Sequence, residues 1–157
     1  DGAVQHYDKK HLFTFGGEHK RFTAGTERVV VNFRGVRILL EVCYDLRFPV
    51  WSRNLGDYDM ILYVASWPTP RVDAWSALLR ARAIENQCYV AGVNRMGTDP
   101  ACEYSGGSAI IDPYGKTIAE CPWSRESAVS ADIDMEALQA FRKKFPVLDD
   151  ADPFTLI

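Results

Sequence analysis

The sequence lacks any long hydrophobic run. Its longest uninterrupted apolar stretch, Met60 to Ala65, is of strand length, whereas a membrane-spanning helix needs about 20 such residues. The chain also opens without a basic stretch followed by an apolar one, which is the pattern of a secretory signal. These absences predict a protein that neither crosses a membrane nor carries an export signal.

Paired metal-binding cysteines and an excess of basic charge are also missing. The four cysteines, Cys43, Cys88, Cys102 and Cys121, form no C-x-x-C pair and have no histidine at zinc-finger spacing, so no zinc site is expected. The formal net charge of −3 gives no electrostatic reason to expect nucleic acid or an anionic membrane as a partner. Cysteines inside apolar runs predict reduced thiols and therefore a cytoplasmic protein.

What the sequence does contain is a series of short apolar strands interrupted by helical segments. Strands are predicted at 29–33, 36–44, 60–65, 89–94, 108–112, 117–119 and 128–133, and helices at 49–55, 73–87 and 134–145. The continuous apolar runs 60–65 and 89–94 are typical of strands covered on both faces. Segment 73–87 is rich in Leu, Ala and Arg and has no Gly or Pro, which favours a helix. This order of elements predicts a layered α/β or α+β protein.

Cys43 stands where a predicted strand ends and a sharp corner begins. A nucleophile at a strand-to-helix turn is exposed and lies beside backbone N–H groups, and those of Tyr44 or Asp45 could hold a developing oxyanion. A lone cysteine is nevertheless more often a buried structural residue. Lys9 and Glu18, taken singly, are ordinary surface charges. Position alone therefore leaves both interpretations of Cys43 open.

An ordered set of motifs decides between these interpretations. The set runs Tyr7-Asp8-Lys9-Lys10-His11-Leu12-Phe13, Glu18 with Phe22-Thr23-Ala24-Gly25, Val42-Cys43-Tyr44-Asp45-Leu46-Arg47-Phe48-Pro49, Arg80-Ala81-Arg82-Ala83-Ile84-Glu85-Asn86-Gln87, Asn94-Arg95, Ser105-Gly106-Gly107-Ser108 and Asp112-Pro113-Tyr114-Gly115. In this order, and over nearly the whole chain, the motifs closely resemble the nitrilase superfamily of carbon–nitrogen hydrolases. The Leu-Arg-Phe-Pro ending of the cysteine motif and Ser66-Trp67-Pro68 are most similar to its omega-amidase branch.

The resemblance implies a fold and a Glu-Lys-Cys triad. The fold is the C-terminal portion of a four-layer αββα sandwich of the α/β (α+β) class, and residues 1–157 are a partial carbon–nitrogen hydrolase domain. Carried over to this sequence, Cys43 is the nucleophile, Lys9 stabilises the tetrahedral intermediate, and Glu18 is a second glutamate that orders the lysine. A lysine cation near the thiol is expected to lower its pKa and favour thiolate.

The general base of the family is a glutamate that lies well before the lysine motif. Only eight residues precede Lys9, and none of them is a glutamate. The expectation is a chain whose N-terminal portion has been lost, left out or placed on another polypeptide. Glu41 shares a strand face with Cys43, but it lies within the strand and not across the pocket, so it is not expected to replace the base.

Two loop residues and one histidine complete the predicted site. Arg71 follows Trp67-Pro68-Thr69-Pro70 at the C-terminal end of a strand, where α/β ligand sites gather. Its guanidinium could clamp a substrate carboxylate, and a solvated loop arginine is the equal alternative. Trp67 is assigned to the same substrate-binding surface. A Cys–His dyad with His11 is a rival arrangement, whereas the resemblance makes His11 a structural residue beside the lysine.

The favoured hypothesis is hydrolysis of a small carboxylate-bearing amide such as 2-oxoglutaramate. Cys43 would attack the amide carbon, ammonia would leave, and water would resolve the thioester, with no metal or organic cofactor. One alternative is a non-catalytic binding or assembly member with the same fold. Another is a redox-active thiol protein, which the lack of a second cysteine near Cys43 in sequence disfavours. The resemblance also implies a homodimer or higher homo-oligomer that pairs through helix 71–87 and the segment after Pro49.

Overall fold

A six-stranded mixed sheet frames the molecule in the computed structural model, which describes residue 2 and residues 4–155. The strands are β1 (Val30–Phe33), β2 (Val36–Val42), β3 (Met60–Ala65), β4 (Tyr89–Asn94), β5 (Met96–Thr98), β6 (Glu103–Ser105), β7 (Ala109–Ile111) and β8 (Thr117–Glu120). The order across the sheet is β1-β2-β3-β4-β7-β8, and β5 pairs with β6 in a separate ribbon. Strands β2, β3 and β4 run parallel, while β1, β7 and β8 pair antiparallel.

Three α-helices accompany the sheet in the described part of the chain: α1 (Pro49–Ser52), α2 (Val72–Asn86) and α3 (Met135–Lys144). Helix α2 ends where Gln87 takes a left-handed φ of 43°, and α3 is capped at its N-terminus by Asp134, whose side chain accepts the Ala137 N–H. Helix α1 is shorter than predicted because Asn54 leaves the helix to bond with Asn86 and with the Tyr58 carbonyl. None of these helices has the length and apolarity that crossing a bilayer requires.

The core lies between α2 and one face of the sheet. Trp75 and Leu79 of α2 are buried against β4. A Cβ added to Gly92 would lie 2.6 Å from a Leu79 methyl carbon and 2.8 Å from the Trp75 ring, so only glycine allows the helix to approach this strand so closely. Burial of each large apolar side chain contributes about 1.5–3 kcal/mol, which holds α2 firmly on the sheet.

The opposite face of the sheet is only partly covered by the described residues. Val64 of β3 and Val93 of β4 are 47% and 50% exposed, although their strands read as apolar on both faces. The described residues therefore do not supply the cover that the sequence predicts for these two positions. Within the described part of the chain, no element packs over them.

Segment 128–133, predicted as a strand, forms no sheet pairing. Val129 is 39% exposed, and the other apolar residues of the alternation, Ala131 and Ile133, are only half-buried. Strand propensity mainly reports packing beside neighbouring strands on a pleated surface, and no described strand pairs with this segment. Strand β2 also ends earlier than predicted, at Val42, because Cys43 turns the chain.

The parallel strands place their carboxyl ends along one edge of the sheet. Strand β2 ends at Val42, β3 at Ala65 and β4 at Asn94, and these strands are hydrogen-bonded neighbours. The loops that follow such ends are where α/β proteins form ligand sites. Cys43 and Ser66 each follow one of these ends directly, so the fold brings the cysteine corner and the Ser66-Trp67 loop together.

Candidate active site

Cys43 occupies a strained turn at the end of β2. Its φ is +50°, in the left-handed region that residues other than glycine seldom adopt, and it begins the 3₁₀ turn Cys43–Arg47. The carboxylate of Asp45 accepts the Val42 N–H at 3.0 Å and so braces this turn. Tyr44 is the second residue of the turn, where helical N–H groups have no intrahelical acceptor. The geometry suits an exposed nucleophile beside an oxyanion donor.

A cavity of about 720 Å³ opens beside this turn. Its volume lies within the range of small-molecule sites, roughly 300–1,000 Å³. All six residues that the sequence predicts for the site line it: Lys9, Glu18, Cys43, Tyr44, Trp67 and Arg71. They come from three separate stretches of the chain, so the fold brings together what the sequence holds apart. Their roles in catalysis and binding stay predictions.

Lys9 is held at its tip by Glu18. The Lys9 Nζ lies 2.7 Å from Glu18 Oε2, and the same oxygen accepts the Phe13 N–H at 2.8 Å. Burial works to raise the pKa of Glu18, but the bonds from Lys9 and Phe13 outweigh it and hold that pKa below its usual value. Glu18 is therefore an anion that orders the lysine, and its ion pairing makes it a poor proton acceptor.

The Cys43 thiol ionises less readily than an ordinary cysteine, because its pKa is raised. Burial raises the pKa of Cys43 above its ordinary value, and the Lys9 cation offsets this effect only in part. Lys9 lowers the pKa of Cys43, as expected, but desolvation of the thiolate is the larger effect, so the net pKa is raised. The Cys43 Sγ lies 3.9 Å from the Ser66 carbonyl oxygen. A base must remove the thiol proton for attack to proceed.

The described residues offer no free glutamate for that step. The acidic side chains that line the cavity in this part of the chain are Asp8, which is exposed, and Glu18, which is paired with Lys9. Glu41 does not line the cavity. It is buried, accepts the Ser52 hydroxyl at 2.9 Å, and burial raises its pKa to about 7. Its placement agrees with the expectation that Glu41 does not replace the base.

The described contacts of the His11 ring are with residues other than the nucleophile. Its ring stacks on Phe48 with centroids 3.8 Å apart and planes 5° apart, and its Nδ1 lies 2.9 Å from an Asp45 oxygen. It does not appear among the residues that line the cavity. These contacts disfavour a Cys–His dyad and support the structural interpretation of His11.

Two guanidinium groups, those of Arg47 and Arg71, also line the cavity. The Arg71 guanidinium lies 5.5 Å from the Phe13 ring centroid, and the Trp67 Nε1–H donates to the Arg71 carbonyl at 2.7 Å. The Trp67 side chain supports a second arginine, Arg47, whose guanidinium lies 4.9 Å from its ring centroid. Trp67 itself is only 3% exposed, so it contributes a wall more than an open contact surface.

The comparison with known families identifies this arrangement. The model of the carbon–nitrogen hydrolase family matches residues 1–143. The chain belongs to the carbon–nitrogen hydrolase family. Within the nitrilase superfamily it lies in the omega-amidase-like branch, as the ending of the cysteine motif and Ser66-Trp67-Pro68 predicted.

Two curated relatives carry this similarity. Omega-amidase YafV of Escherichia coli (strain K12) is 55% identical over 156 residues, which cover 99% of this chain and 61% of that protein. The 2-oxoglutaramate amidase of Bacillus subtilis (strain 168) is 42% identical over 149 residues, which cover 94% of this chain and 57% of that protein. The chain therefore spans about three fifths of the length of these relatives.

A solved carbon–nitrogen hydrolase shares the fold. The crystal structure of XC1258 from Xanthomonas campestris, a CN-hydrolase superfamily protein with an arsenic adduct in its active site, superposes with a TM-score of 0.95 at 49% identity. The match covers 99% of this chain and 62% of that chain. This likeness confirms the mixed α/β fold of the nitrilase superfamily that the motifs predicted.

Arg47, Cys102 and Tyr104 are among the residues that line this cavity but were not predicted as site residues from the sequence. Arg47 lies four positions after Cys43, and that spacing on a helical turn was an available signal. Cys102 and Tyr104 reach the cavity from the β5–β6 ribbon, and nothing in their local sequence indicates this. Cys102 also shows that a second thiol shares the cavity with Cys43, although it is distant in sequence.

Proposed function

We propose that the protein hydrolyses a small amide that carries a carboxylate, with 2-oxoglutaramate as the representative substrate. The observation that carries the proposal is one cavity in which Cys43 and Lys9 share the walls with Arg47 and Arg71. The names of the Escherichia coli and Bacillus subtilis relatives, omega-amidase and 2-oxoglutaramate amidase, support the same substrate class.

The reaction begins when the Cys43 sulfur attacks the amide carbon. A base supplied by the whole protein takes the thiol proton, since the described residues hold no free glutamate at the cavity. Negative charge develops on the amide oxygen, where the Lys9 ammonium and the Tyr44 N–H stabilise it more than they stabilise the planar substrate. The carbon–nitrogen bond then breaks, the nitrogen takes a proton, and ammonia leaves a thioester on Cys43.

Water completes the cycle. It attacks the thioester carbon, loses a proton to the base, and displaces the Cys43 sulfur, which takes up a proton again. The product is a carboxylic acid in place of the amide. Lys9 serves both tetrahedral intermediates, because Glu18 keeps its ammonium in one place.

The charge of the cavity wall favours an anionic substrate. Among the described residues that line the cavity, Lys9, Arg47 and Arg71 are basic, whereas Asp8 and Glu18 are acidic, and Glu18 is already paired with Lys9. Two guanidinium groups thus remain for the substrate, and their planar donor pairs match a carboxylate. We assign the carboxylate to Arg71, with Trp67 shaping the wall beside it.

Ammonia release by the full-length protein tests this function. The wild type should release ammonia from 2-oxoglutaramate, and Cys43→Ala should abolish it. Cys121→Ala is the matched control, because Cys121 is a buried free thiol outside this cavity. A folded wild type that releases no ammonia from any small carboxylate-bearing amide would contradict the proposal.

A non-catalytic binding member is the second candidate. The specific observation in its favour is the raised pKa of Cys43 with no free glutamate nearby in the described part of the chain. Such a member would bind the carboxylate-bearing amide without turning it over. Calorimetric binding without ammonia release would establish it.

We also propose that the protein is a homodimer in a reducing, cytoplasmic setting. Val50 and Leu55 after the cysteine turn, and Ile84 on α2, are 55%, 62% and 54% exposed, and burial of such residues between two copies would stabilise a pair. The four cysteines are free thiols, which suits the cytoplasm. Light scattering at micromolar concentration and cell fractionation test these two statements.

A further inference from the structure

A buried carboxylate joins the two segments that carry Lys9 and Cys43. Asp45 is fully buried, and its two oxygens accept four hydrogen bonds. One oxygen accepts the His11 N–H at 2.9 Å and lies 2.9 Å from His11 Nδ1. The other accepts the Tyr7 hydroxyl at 2.9 Å and the Val42 N–H at 3.0 Å. Such full satisfaction is what a buried anion needs.

These bonds anchor the chain on both sides of Lys9. Tyr7 precedes Lys9 by two residues and His11 follows it by two, and both are tied to Asp45. The Tyr7 hydroxyl also accepts the Lys10 N–H at 3.1 Å and the Trp51 Nε1–H at 3.0 Å. The base of the Lys9 side chain is therefore fixed relative to the cysteine turn, while Glu18 fixes only its tip.

We propose that Asp45 is a positioning residue that clasps the Lys9 segment to the Cys43 turn and so holds the ammonium opposite the thiol. This inference rests on the proposed function in so far as it concerns turnover. Asp45 does not line the cavity and cannot touch substrate, so it acts through Lys9. No described bond of its carboxylate goes to the Cys43 sulfur.

The hydrogen bonds of Asp45 and its negative charge have opposite effects on the pKa of the Cys43 thiol. The nearby Asp45 anion, acting directly, raises the pKa of the Cys43 thiol, while the Lys9 cation lowers it. Removing only the charge of Asp45 would therefore make Cys43 more acidic. Releasing Lys9 from its place would make Cys43 less acidic. The direction of change in a variant separates the two roles.

Asp45→Asn is the sharpest variant, because it keeps the shape and breaks the clasp. The carboxylate accepts one backbone N–H on each oxygen, from Val42 and from His11. An asparagine must turn its NH₂ toward one of them, so two donors face each other in either orientation. One edge of the clasp opens whichever way the amide turns.

The measurement is the rate of alkylation of Cys43 by iodoacetamide across pH, read by mass spectrometry of the Cys43 peptide in the full-length protein. Asp45→Asn should move the pH midpoint upward and slow alkylation at pH 7 roughly tenfold, because a displaced cation no longer favours thiolate. A downward or unchanged midpoint in the folded variant would overturn the proposal. Asp59→Asn is the matched control, a nearly buried carboxylate bonded to Arg37 and Arg142, and it should leave the midpoint in place.

A double variant tests whether Asp45 acts through Lys9. In a Lys9→Met background, adding Asp45→Asn should cause no further rise of the midpoint, since no cation remains to be positioned. A further rise of the same size would show that Asp45 does not act through Lys9. If Asp45→Asn fails to fold, Tyr7→Phe, which removes one of the four bonds, should show a smaller rise. An unchanged midpoint in folded Tyr7→Phe would then overturn the proposal.

Turnover separates this inference from the proposed function. Asp45→Asn should lower kcat for 2-oxoglutaramate while KM stays within about twofold, because the carboxylate contacts of the substrate are untouched. The alkylation profile needs no substrate. A protein that releases no ammonia would refute the amidase function and still leave the positioning role open to measurement.

Discussion

The side-chain amide of Asn94 bonds both backbone groups of Trp67. Its oxygen accepts the Trp67 N–H at 2.7 Å, and its nitrogen donates to the Trp67 carbonyl at 3.0 Å and to the Gly106 carbonyl at 2.7 Å. Asn94 thereby fixes the loop whose Ser66 carbonyl faces the Cys43 thiol. The end of β4 thus holds a loop of the site, although Asn94 itself does not line the cavity.

Replacement of Asn94 should loosen this loop. Asn94→Ala leaves the buried Trp67 groups without partners, so we expect a loss of about 1–3 kcal/mol in the free energy of unfolding. Asn94→Asp should be at least as harmful, because a carboxylate would face two carbonyl oxygens. Chemical denaturation measures both variants. Asn32→Ala, at an exposed turn, is the control, and equal effects at both positions would contradict this role.

Glu18 should make stability depend on acid pH. Its folded-state pKa is lowered, by the bonds from Lys9 and Phe13 against the opposing effect of burial. It therefore stabilises the fold above its unfolded pKa, and this contribution is lost as pH falls through the folded value. Between about pH 5 and pH 3, the wild type should lose more stability than Glu18→Gln. Parallel denaturation curves for the two proteins over that range would count against the ion pair.

Glu41 should have the opposite pH dependence. Burial raises its pKa to about 7, so the folded state keeps a proton that the unfolded state has lost. Stability then falls as pH rises from the unfolded value, about 4.3, to about 7, and does not change further above that. Glu41→Gln removes this effect and keeps an acceptor for Ser52.

The matched measurement is denaturation of both proteins at pH 4 and pH 8. Glu41→Gln should be close to the wild type at pH 4 and more stable than it at pH 8. A difference that is the same at both pH values would mean that Glu41 does not titrate on its own in this range.

Arg71 should decide between charged and neutral amides. In the full-length protein, Arg71→Ala should reduce kcat/KM for a carboxylate-bearing amide by roughly 1.5–3 kcal/mol, the usual value of a charge-assisted hydrogen bond. A neutral amide of similar size should lose much less. Equal losses for both substrates would mean that Arg71 supports the loop through its contact with Phe13, and no loss for either would make it a solvated residue.

Local sequence rules were sufficient for most strands and helices, whereas the site residues were predicted from the ordered set of motifs and its family resemblance. The helix predicted at 73–87 corresponds to α2, because its residues favour helix and its Trp75 and Leu79 side chains are buried against Gly92. The structure places Lys9, Glu18 and Cys43 at one cavity, and their catalytic roles stay predictions. Segment 128–133 was misjudged because strand propensity needs a neighbouring surface, which a local pattern does not report.

The energetic balance of the site could not be read from the sequence. The net pKa of Cys43 depends on how burial compares with one cation, and burial is a property of the assembled fold. Likewise, the four bonds to Asp45 and the approach of Cys102 and Tyr104 are tertiary contacts. The cysteine motif contains Asp45 two residues after the nucleophile. Its bonds to Tyr7 and His11 exist only in the folded chain, so the sequence alone does not indicate them.

The covalent state of Cys43 during turnover tests the central claim most directly. The full-length protein should be mixed with 2-oxoglutaramate, quenched with acid within the first turnovers, and digested for mass spectrometry. The account predicts that the Cys43 peptide carries the acyl group of the substrate after loss of ammonia, and that Cys43→Ala shows neither the adduct nor ammonia release. Ammonia release that persists in Cys43→Ala would contradict it.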